Sequence, residues 1–418
     1  MSDVVTAVRE QLSRQVAHWT IATRNLSDLD ELASADAWGQ LERYLGVTVR
    51  QELALSSDRL EKKIALLRAA LRAALSLQEL KAVNRLLLEC RLQYLRTETT
   101  LEFFADAIRT RTDKRLGGLL RACDSVAYRS MSLVLDQLDK RTPVVLTYLD
   151  RGLGASILKA NLRLWDGTDN PVAAIKVTLH NLPRVTSILH ECGHQVAHQT
   201  GWTETLAKGY RDGLGGSSPV SDIWANWTSE IVADTHAFVH GGFAAIAALH
   251  DVVAGDDDMV FRMLPGDPHP MAFLRVLLGA QMCRLEFGAG PWDDLAAAWT
   301  ELHPISAAGH ESAELILASL PLLPRAADLA LHQKVPGFGQ RSICELINPD
   351  RVRPERLYEL ERRLGPALYT STHWIWTEAL RLVALSGLRM ATMPAQAQEQ
   401  AQKLQECLLR LGGAAQAA

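Results

Sequence analysis

The clearest pattern near the start of the chain is a helical stripe of apolar residues. Within residues 58–98, leucine and isoleucine recur at intervals of three and four, at Leu60, Ile64, Leu67, Leu71 and Leu75. This spacing places the side chains on one face of an α-helix. The first proline is Pro143, so no proline interrupts a helix before it. The pattern predicts a long helical hairpin or bundle within residues 1–142.

The pattern changes to short apolar runs at Pro143. Three runs are typical of β-strands: PVVLTYLD, ASILKANLRLW and VAAIKVTLH. They are separated by RGLG and DGTDNP, which are typical of turns. We therefore expect three strands of a small sheet. A helix is predicted to begin near Asn181 and Pro183, and the loop DGLGGSS separates it from a second helix, SDIWANWTSEIVADTHAFVHGG.

The remainder of the chain returns to helical patterns and closes in a Gln- and Ala-rich tail that we expect to be frayed. The predicted fold class is α+β and predominantly helical. In it, a unit with a small β-sheet and an active-site helix is flanked by N- and C-terminal helical regions. The predicted domains are residues 1–142, 143–311 and 312–418.

Net charge, cysteine spacing and apolar stretches narrow the partners, cysteine chemistry and location that the chain is expected to have. The net charge of −4 gives no field that would recruit nucleic acid, so no nucleic-acid partner is expected. Six scattered cysteines without a CxxC pair favour buried, reduced thiols. The N-terminus lacks the apolar core of a signal peptide, and two prolines and two charges interrupt the most apolar stretch, ELILASLPLLPRAADLA. We expect a cytoplasmic protein with no membrane span.

Metal chemistry is indicated by the stretch TSILHECGHQVAHQTGW, residues 186–202. His190 and His194 are four residues apart, so on a helix both imidazoles project from one face and reach one ion. Glu191 lies beside that pair, where it can take a proton from a water bound at the metal. HExxH is a short pattern, so two packed or solvated histidines are an alternative.

His198 continues the series but lies roughly 12 Å along the helix axis from His190, too far for both to join one ion easily. We therefore interpret His198 as a bystander. Cys192 is offset from the ligand face, which favours a small buried side chain. A di-iron carboxylate bundle needs a second ExxH, and the chain has none beyond Glu191 and His194.

A third ligand is indicated on the second helix. Glu230 and Asp234 are four residues apart and share a face. One carboxylate there could complete the metal site, and the other could hold the second ring nitrogen of a ligand histidine.

These two motifs resemble those of the gluzincin metallopeptidases, the thermolysin-like clan, in which HExxH precedes a helix bearing ExxxD. The resemblance covers residues 143–280, and the metzincin pattern does not fit because Ala197 and Thr200 replace its glycine and histidine. It implies a zincin-like catalytic unit that binds Zn²⁺. By this resemblance His190, His194 and Glu230 are the zinc ligands, Glu191 is the general base, and Asp234 is the carboxylate that holds a ligand histidine.

Peptide hydrolysis also needs a donor for the oxyanion. The candidates are His269, Arg275, His236, His240 and Tyr210. His269 stands between prolines in GDPHP, similar to His-Pro segments of zinc peptidases, and is the first choice, with Arg275 supporting structure or substrate. A histidine in a helix-starting loop without a chemical role is an equal alternative. His236 and His240 lie off the face of Glu230, and Tyr210 is a weaker alternative.

The predicted function is zinc-dependent hydrolysis of peptide bonds in a peptide or protein substrate that the flanking helical regions select. The resemblance to the gluzincins implies that the third β-run, VAAIKVTLH, is an edge strand, with which an extended peptide substrate could pair. Two alternatives stay open at this point. One is a helical scaffold or adaptor with a structural zinc site. The other is a regulatory module derived from a peptidase, without general proteolytic activity.

Overall fold

The computed structural model describes residues 2–46, 49–152, 155–216, 218–264 and 266–417. Leu153, Gly154 and Ser217 of the predicted loops RGLG and DGLGGSS lie outside the described residues. The chain divides into two compact units, Met1–Lys114 with Ala160–Val172, and Arg115–Lys159 with Ala173–Ala418. The predicted three-part division has other boundaries and stays a prediction.

The first unit is helical. Its helices are α1 (Ser2–Ser27), α2 (Leu29–Leu32), α3 (Ala35–Leu45), α4 (Val49–Ala73) and α5 (Leu77–Arg111). Leucines of α1, α4 and α5 bury one another, as the apolar stripe predicts. The predicted apolar stripe is wrong at Leu75. This residue is exposed because α4 ends at Ala73 and Ser76 caps the start of α5.

Residues 160–172 belong to the first unit as an irregular segment. The Asp166 carboxylate accepts a hydrogen bond from the hydroxyl of Ser56, and the Asp166 carbonyl accepts one from Gln93 Nε2 at 3.4 Å. Asn161 adopts a left-handed conformation, with φ of 64°. The predicted strand ASILKANLRLW is therefore wrong beyond Leu158, because a left-handed residue does not fit a strand.

The second unit contains a three-stranded sheet. Its strands are β1 (Val145–Leu149), β2 (Ser156–Leu158) and β3 (Ala173–Val177). The order is β1-β3-β2, with β3 parallel to β1 and antiparallel to β2. The prediction that VAAIKVTLH forms the edge is wrong, because this almost uniformly apolar run is buried at the centre of the sheet. Among the described strands, β2 is an edge.

Helices form the rest of the second unit. The α-helices are α6 (Lys114–Leu135), α7 (Ser187–Thr200), α8 (Trp202–Gly213), α9 (Pro219–Asn226), α10 (Thr228–Gly241), α11 (Phe243–Val253), α12 (Asp257–Val260), α13 (Ala272–Phe287), α14 (Pro291–Leu302), α15 (His310–Ser319), α16 (Leu323–His332), α17 (Ile343–Leu346), α18 (Pro354–Leu364), α19 (Ala367–Thr370), α20 (Thr372–Thr377), α21 (Ala379–Thr392) and α22 (Ala397–Ala417). Short 3₁₀ helices lie at Asp136–Leu138, Leu179–Asn181, Ile305–Ala307, Leu320–Leu322, Pro336–Phe338, Pro349–Val352 and Pro394–Gln396. The fold is thus predominantly helical with one small sheet.

Two predicted helical segments differ in detail. The helix expected from SDIWANWTSEIVADTHAFVHGG divides at Trp227 into α9 and α10. The Gln- and Ala-rich tail forms α22, so its expected fraying is wrong for the described residues. The reason is that Leu404, Leu408 and Leu411 recur at helical spacing and are buried.

Among the described residues, one helical stretch, His310–His332, is long and apolar enough to cross a membrane by length and composition. Half of its apolar window is buried inside the protein. This is weak support for a membrane span. The predicted cytoplasmic location stays a prediction.

Candidate metal centre

The two helices that carry the metal motifs pack directly against each other. Gly193 lies on α7 at their closest approach. A Cβ atom at this position would lie 2.6 Å from Ala233 Cα and 2.8 Å from His236 Cβ, both on α10. Any side chain larger than hydrogen would therefore push the helices apart. The glycine in HECGH brings the histidines of α7 to the carboxylates of α10.

His190, His194 and Glu230 meet at this contact. The two Nε2 atoms of the histidines lie 3.3 and 3.4 Å from the carboxylate oxygens of Glu230. One ligand atom from each residue lies within 4.8 Å of the others. A tetrahedral zinc ion with bonds near 2.0–2.2 Å separates its ligand atoms by roughly 3.3–3.6 Å. These three side chains, called here the first group, therefore fit one ion with little movement.

Asp234 and Arg275 hold the first group in place. Asp234 Oδ1 lies 2.8 Å from His190 Nδ1, which leaves the Nε2 lone pair of His190 for a metal. Arg275 of α13 donates from Nε to Asp234 Oδ2 at 2.6 Å and from Nη2 to Glu230 Oε2 at 3.0 Å. Asp234, Glu230 and Arg275 are all buried. Each carboxylate thus has a fixed orientation before any ion binds.

The electrostatics of the first group favour a cation. Burial opposes a charge on His190, but hydrogen bonds to Asp234 and Glu230 outweigh it and raise its pKa to about 10. Burial likewise opposes ionisation of Glu230, yet hydrogen bonds from the two histidines hold its pKa below the usual range. Glu230 and Asp234 both pair with the guanidinium of Arg275 and with His190, which holds these two carboxyl groups in their ionised forms.

A cavity of about 450 Å³ opens beside the first group. Glu191 lines this cavity and is only 6% exposed. Burial raises the pKa of its carboxyl group. The cavity also has apolar lining residues from α10 and α11, namely Ala237, Ala245, Ile246, Ala248, Leu249 and Val252. A substrate side chain can therefore be buried close to the metal position and the glutamate.

His269 also lies at this cavity, with its side chain 60% exposed. Its Nε2 is 3.8 Å from Glu230 Oε1. The Asp267 carboxylate lies 2.6 Å from His269 Nδ1 and accepts a hydrogen bond from the His269 backbone N–H at 3.0 Å. These hydrogen bonds, the backbone one first, lower the pKa of Asp267. The ionised Asp267 orients the imidazole with Nε2 toward the metal position.

No model of a known protein family, no curated protein and no solved structure matches this chain. The function therefore has to be inferred from the site itself. Two imidazoles and one carboxylate are donors that suit Zn²⁺, whereas Ca²⁺ and Mg²⁺ prefer oxygen ligands. The residues of the first group fit zinc by donor type, spacing and charge.

The remaining candidate histidines lie elsewhere. His198 is exposed near the end of α7 and is not among the residues that line the cavity. His236 is buried with Nδ1 2.8 Å from the carbonyl of Leu189, and His240 is buried beside it. These two histidines are packed in the interior of the second unit.

Tyr210 and Cys192 are also core residues. The Tyr210 hydroxyl donates to the carbonyl of Ala326 at 3.0 Å, so the weak alternative that it acts as the oxyanion donor is not favoured. Cys192 Sγ lies 3.6 Å from the carbonyl of Ala127. Burial raises the pKa of the Cys192 thiol to about 12, which disfavours a reactive thiolate.

Several cavity residues were missed by the sequence analysis. Asn181 and Ser187 line the cavity, and among the described residues Asn181 Nδ2 and Ser187 Oγ have no hydrogen-bond partner. Lys159 follows β2 at the cavity, and burial lowers its pKa. The sequence offered a signal only for Asp267, which stands two residues before His269. The others come together through tertiary packing.

Proposed function

We propose that the chain is a zinc-dependent peptidase of gluzincin type, whose zincin-like catalytic site lies in the second unit. The observation that carries this proposal is the placement of His190, His194 and Glu230 around one point beside a cavity that Glu191 lines. The buried ion pairs of Arg275 with Glu230 and Asp234 support it, since they hold a ligand carboxylate and the carboxylate behind His190 in place.

The chain's residues divide the chemistry among them. When bound, zinc supplies Lewis acidity, which polarises a carbonyl oxygen and lowers the pKa of a water molecule. Glu191 accepts a proton from the attacking water and passes it to the nitrogen of the leaving amine. The raised pKa of the buried Glu191 carboxyl makes its carboxylate a stronger base for taking that proton. His269 donates from Nε2 to the carbonyl oxygen as negative charge develops there, while Asp267 holds the imidazole ring in place.

The substrate backbone is expected to lie along β2 rather than β3. Ser156 and Ile157 of β2 line the cavity, and β2 is next to β3 only, among the described strands. An extended peptide can add to such an edge through main-chain hydrogen bonds. Asn181 Nδ2 and Ser187 Oγ are placed to bond substrate polar groups, which would satisfy two otherwise unpaired atoms.

A catalytic role is favoured over a structural zinc site by the cavity. Structural zinc sites are closed by four protein ligands, whereas catalytic sites keep a position open. The first group offers three ligands and faces about 450 Å³ of space. We propose a peptide or protein substrate, selected by the helical regions outside the site, and action in the cytoplasm.

The test compares zinc content and peptide cleavage in the wild type, Glu191→Gln and Glu230→Ala. Wild type and Glu191→Gln should carry near-stoichiometric zinc, whereas Glu230→Ala should lose most of it. Cleavage of a mixed peptide library, followed by mass spectrometry, should be about 10²–10⁴-fold slower in Glu191→Gln. Glu301→Gln removes an exposed carboxylate and serves as the matched control.

Three results would contradict the proposal. Zinc retained by Glu230→Ala would overturn the ligand assignment. Undiminished cleavage by Glu191→Gln would remove the general base. A zinc-loaded wild type that leaves every library peptide intact would favour the regulatory module instead.

A further inference from the structure

A second cluster of potential metal ligands lies at the other end of α13. This helix carries Arg275 near its start and Glu286 in its last turn. Eleven residues of α-helix separate them by roughly 16 Å. Glu286 meets His332, the last residue of α16, and Cys344 of α17. These three residues, called here the second group, share no member with the first group or its cavity.

The geometry of the second group resembles that of the first. An imidazole nitrogen, a thiol sulfur and a carboxylate oxygen lie within 4.8 Å of one another. His332 Nε2 lies 3.0 Å from Glu286 Oε1, and His332 Nδ1 lies 3.1 Å from Asp328 Oδ1. Asp328 therefore orients His332 as Asp234 orients His190. A carboxylate behind a histidine is the arrangement that fixes the ring of a metal ligand.

The backbone around the second group is held on two sides. Arg353 Nη2 donates to the carbonyl of Glu286 at 2.6 Å, which anchors the end of α13. Ser342 and Glu345 form a capping box at the start of α17, with hydrogen bonds of 2.6 and 3.2 Å. Cys344 lies between these two capping residues. Its backbone position is thus fixed by local hydrogen bonds.

Cys344 and Glu286 are both partly buried. A divalent ion would compensate the thiolate and the carboxylate together, as metals do at protein thiols.

We propose that Glu286, His332 and Cys344 bind a second transition-metal ion, zinc by preference. Sulfur and imidazole ligands select zinc over Mg²⁺ and Ca²⁺. The ion would join α13 to α16 and α17, which lie far along the chain from α13. This site goes beyond the proposed peptidase and does not depend on it.

Cobalt reports the two groups separately, because only the second contains sulfur. The metal-free full chain, kept reduced, is titrated with Co²⁺ and followed by absorption. At saturation we expect a thiolate-to-cobalt charge-transfer band and two bound ions per chain. Cys344→Ser should lose the band and one of the two ions. His332→Asn, a second variant, should weaken cobalt binding at this group by at least tenfold.

Matched variants show which thiol gives rise to the thiolate-to-cobalt charge-transfer band. Cys192→Ser removes the thiol beside the first group and should keep the band. The double variant His190→Ala, His194→Ala should also keep it while losing the other ion, even if the peptidase proposal fails. A wild type without the band, or a band that persists in Cys344→Ser with native circular dichroism, would overturn the second site.

Discussion

The first and second groups combine a histidine with a supporting carboxylate, but they differ in their surroundings. The first group lies between two packed helices, and its side chains are 9–19% exposed. The second joins α13, α16 and α17, and the His332 side chain is 41% exposed. A buried guanidinium pairs with the ligand carboxylate of the first group, and a cavity of about 450 Å³ lies beside it. We therefore propose a catalytic role for the first group and a role in linking helices for the second.

The largest effect is expected from a substitution that removes the ion pairs supporting the first group. Arg275→Met leaves Glu230 and Asp234 buried without their counter-charge. We expect the metal-free protein to lose about 3–5 kcal/mol of unfolding free energy, measured by urea denaturation with a chelator present. Arg284→Met on the same helix removes an exposed pair with Asp293 and should change stability by about 1 kcal/mol or less. Equal losses would show that buried charge does not distinguish the first group.

A smaller effect is expected from the carboxylate behind His190. Asp234→Asn keeps the size of the side chain but weakens the hydrogen bond to His190 Nδ1. Zinc affinity at the first group should fall about 10–100-fold, measured by competition with a chromophoric chelator. The thiolate-to-cobalt band of the second group should be unchanged. A parallel loss of that band would mean that the two groups are not independent.

The smallest effect is expected from the corresponding carboxylate of the second group. Asp328 is 40% exposed and also pairs with Arg325, so its hold on His332 is looser. Asp328→Asn should weaken cobalt binding there by less than about tenfold, because solvent screens the contact. The cobalt affinity is measured by titrating the thiolate-to-cobalt absorption band. A loss as large as that of Asp234→Asn would contradict the contrast in burial.

The sequence predicted what local geometry determines. His190 and His194 share a face because four residues nearly complete one turn, and the same holds for Glu230 and Asp234. Strand order could not be read this way, since a continuous apolar run is typical of a buried strand but does not say which neighbours cover it. The resemblance to the gluzincins placed β3 at the edge, whereas β3 lies at the centre of the sheet.

Neither the cavity nor the second group could be predicted from the sequence, for the same reason. Asn181 and Ser187 line the cavity through packing that no short motif records. Glu286, His332 and Cys344 spread over 59 positions of the chain and have no common spacing pattern. Their meeting depends on how three helices dock, which is a tertiary property.

Gly193 determines how closely α7 and α10 approach, and therefore how accurately the ligands of the first group are positioned. Metal sites function when their ligands are held within about 0.5 Å of the required geometry. A methyl group at this position would meet the backbone of α10 at 2.6 Å, where ordinary contacts begin near 3.4 Å. The displacement needed to relieve that clash exceeds the tolerance. With glycine at position 193, α7 and α10 can bring their ligands to one ion. With any larger residue there, they cannot.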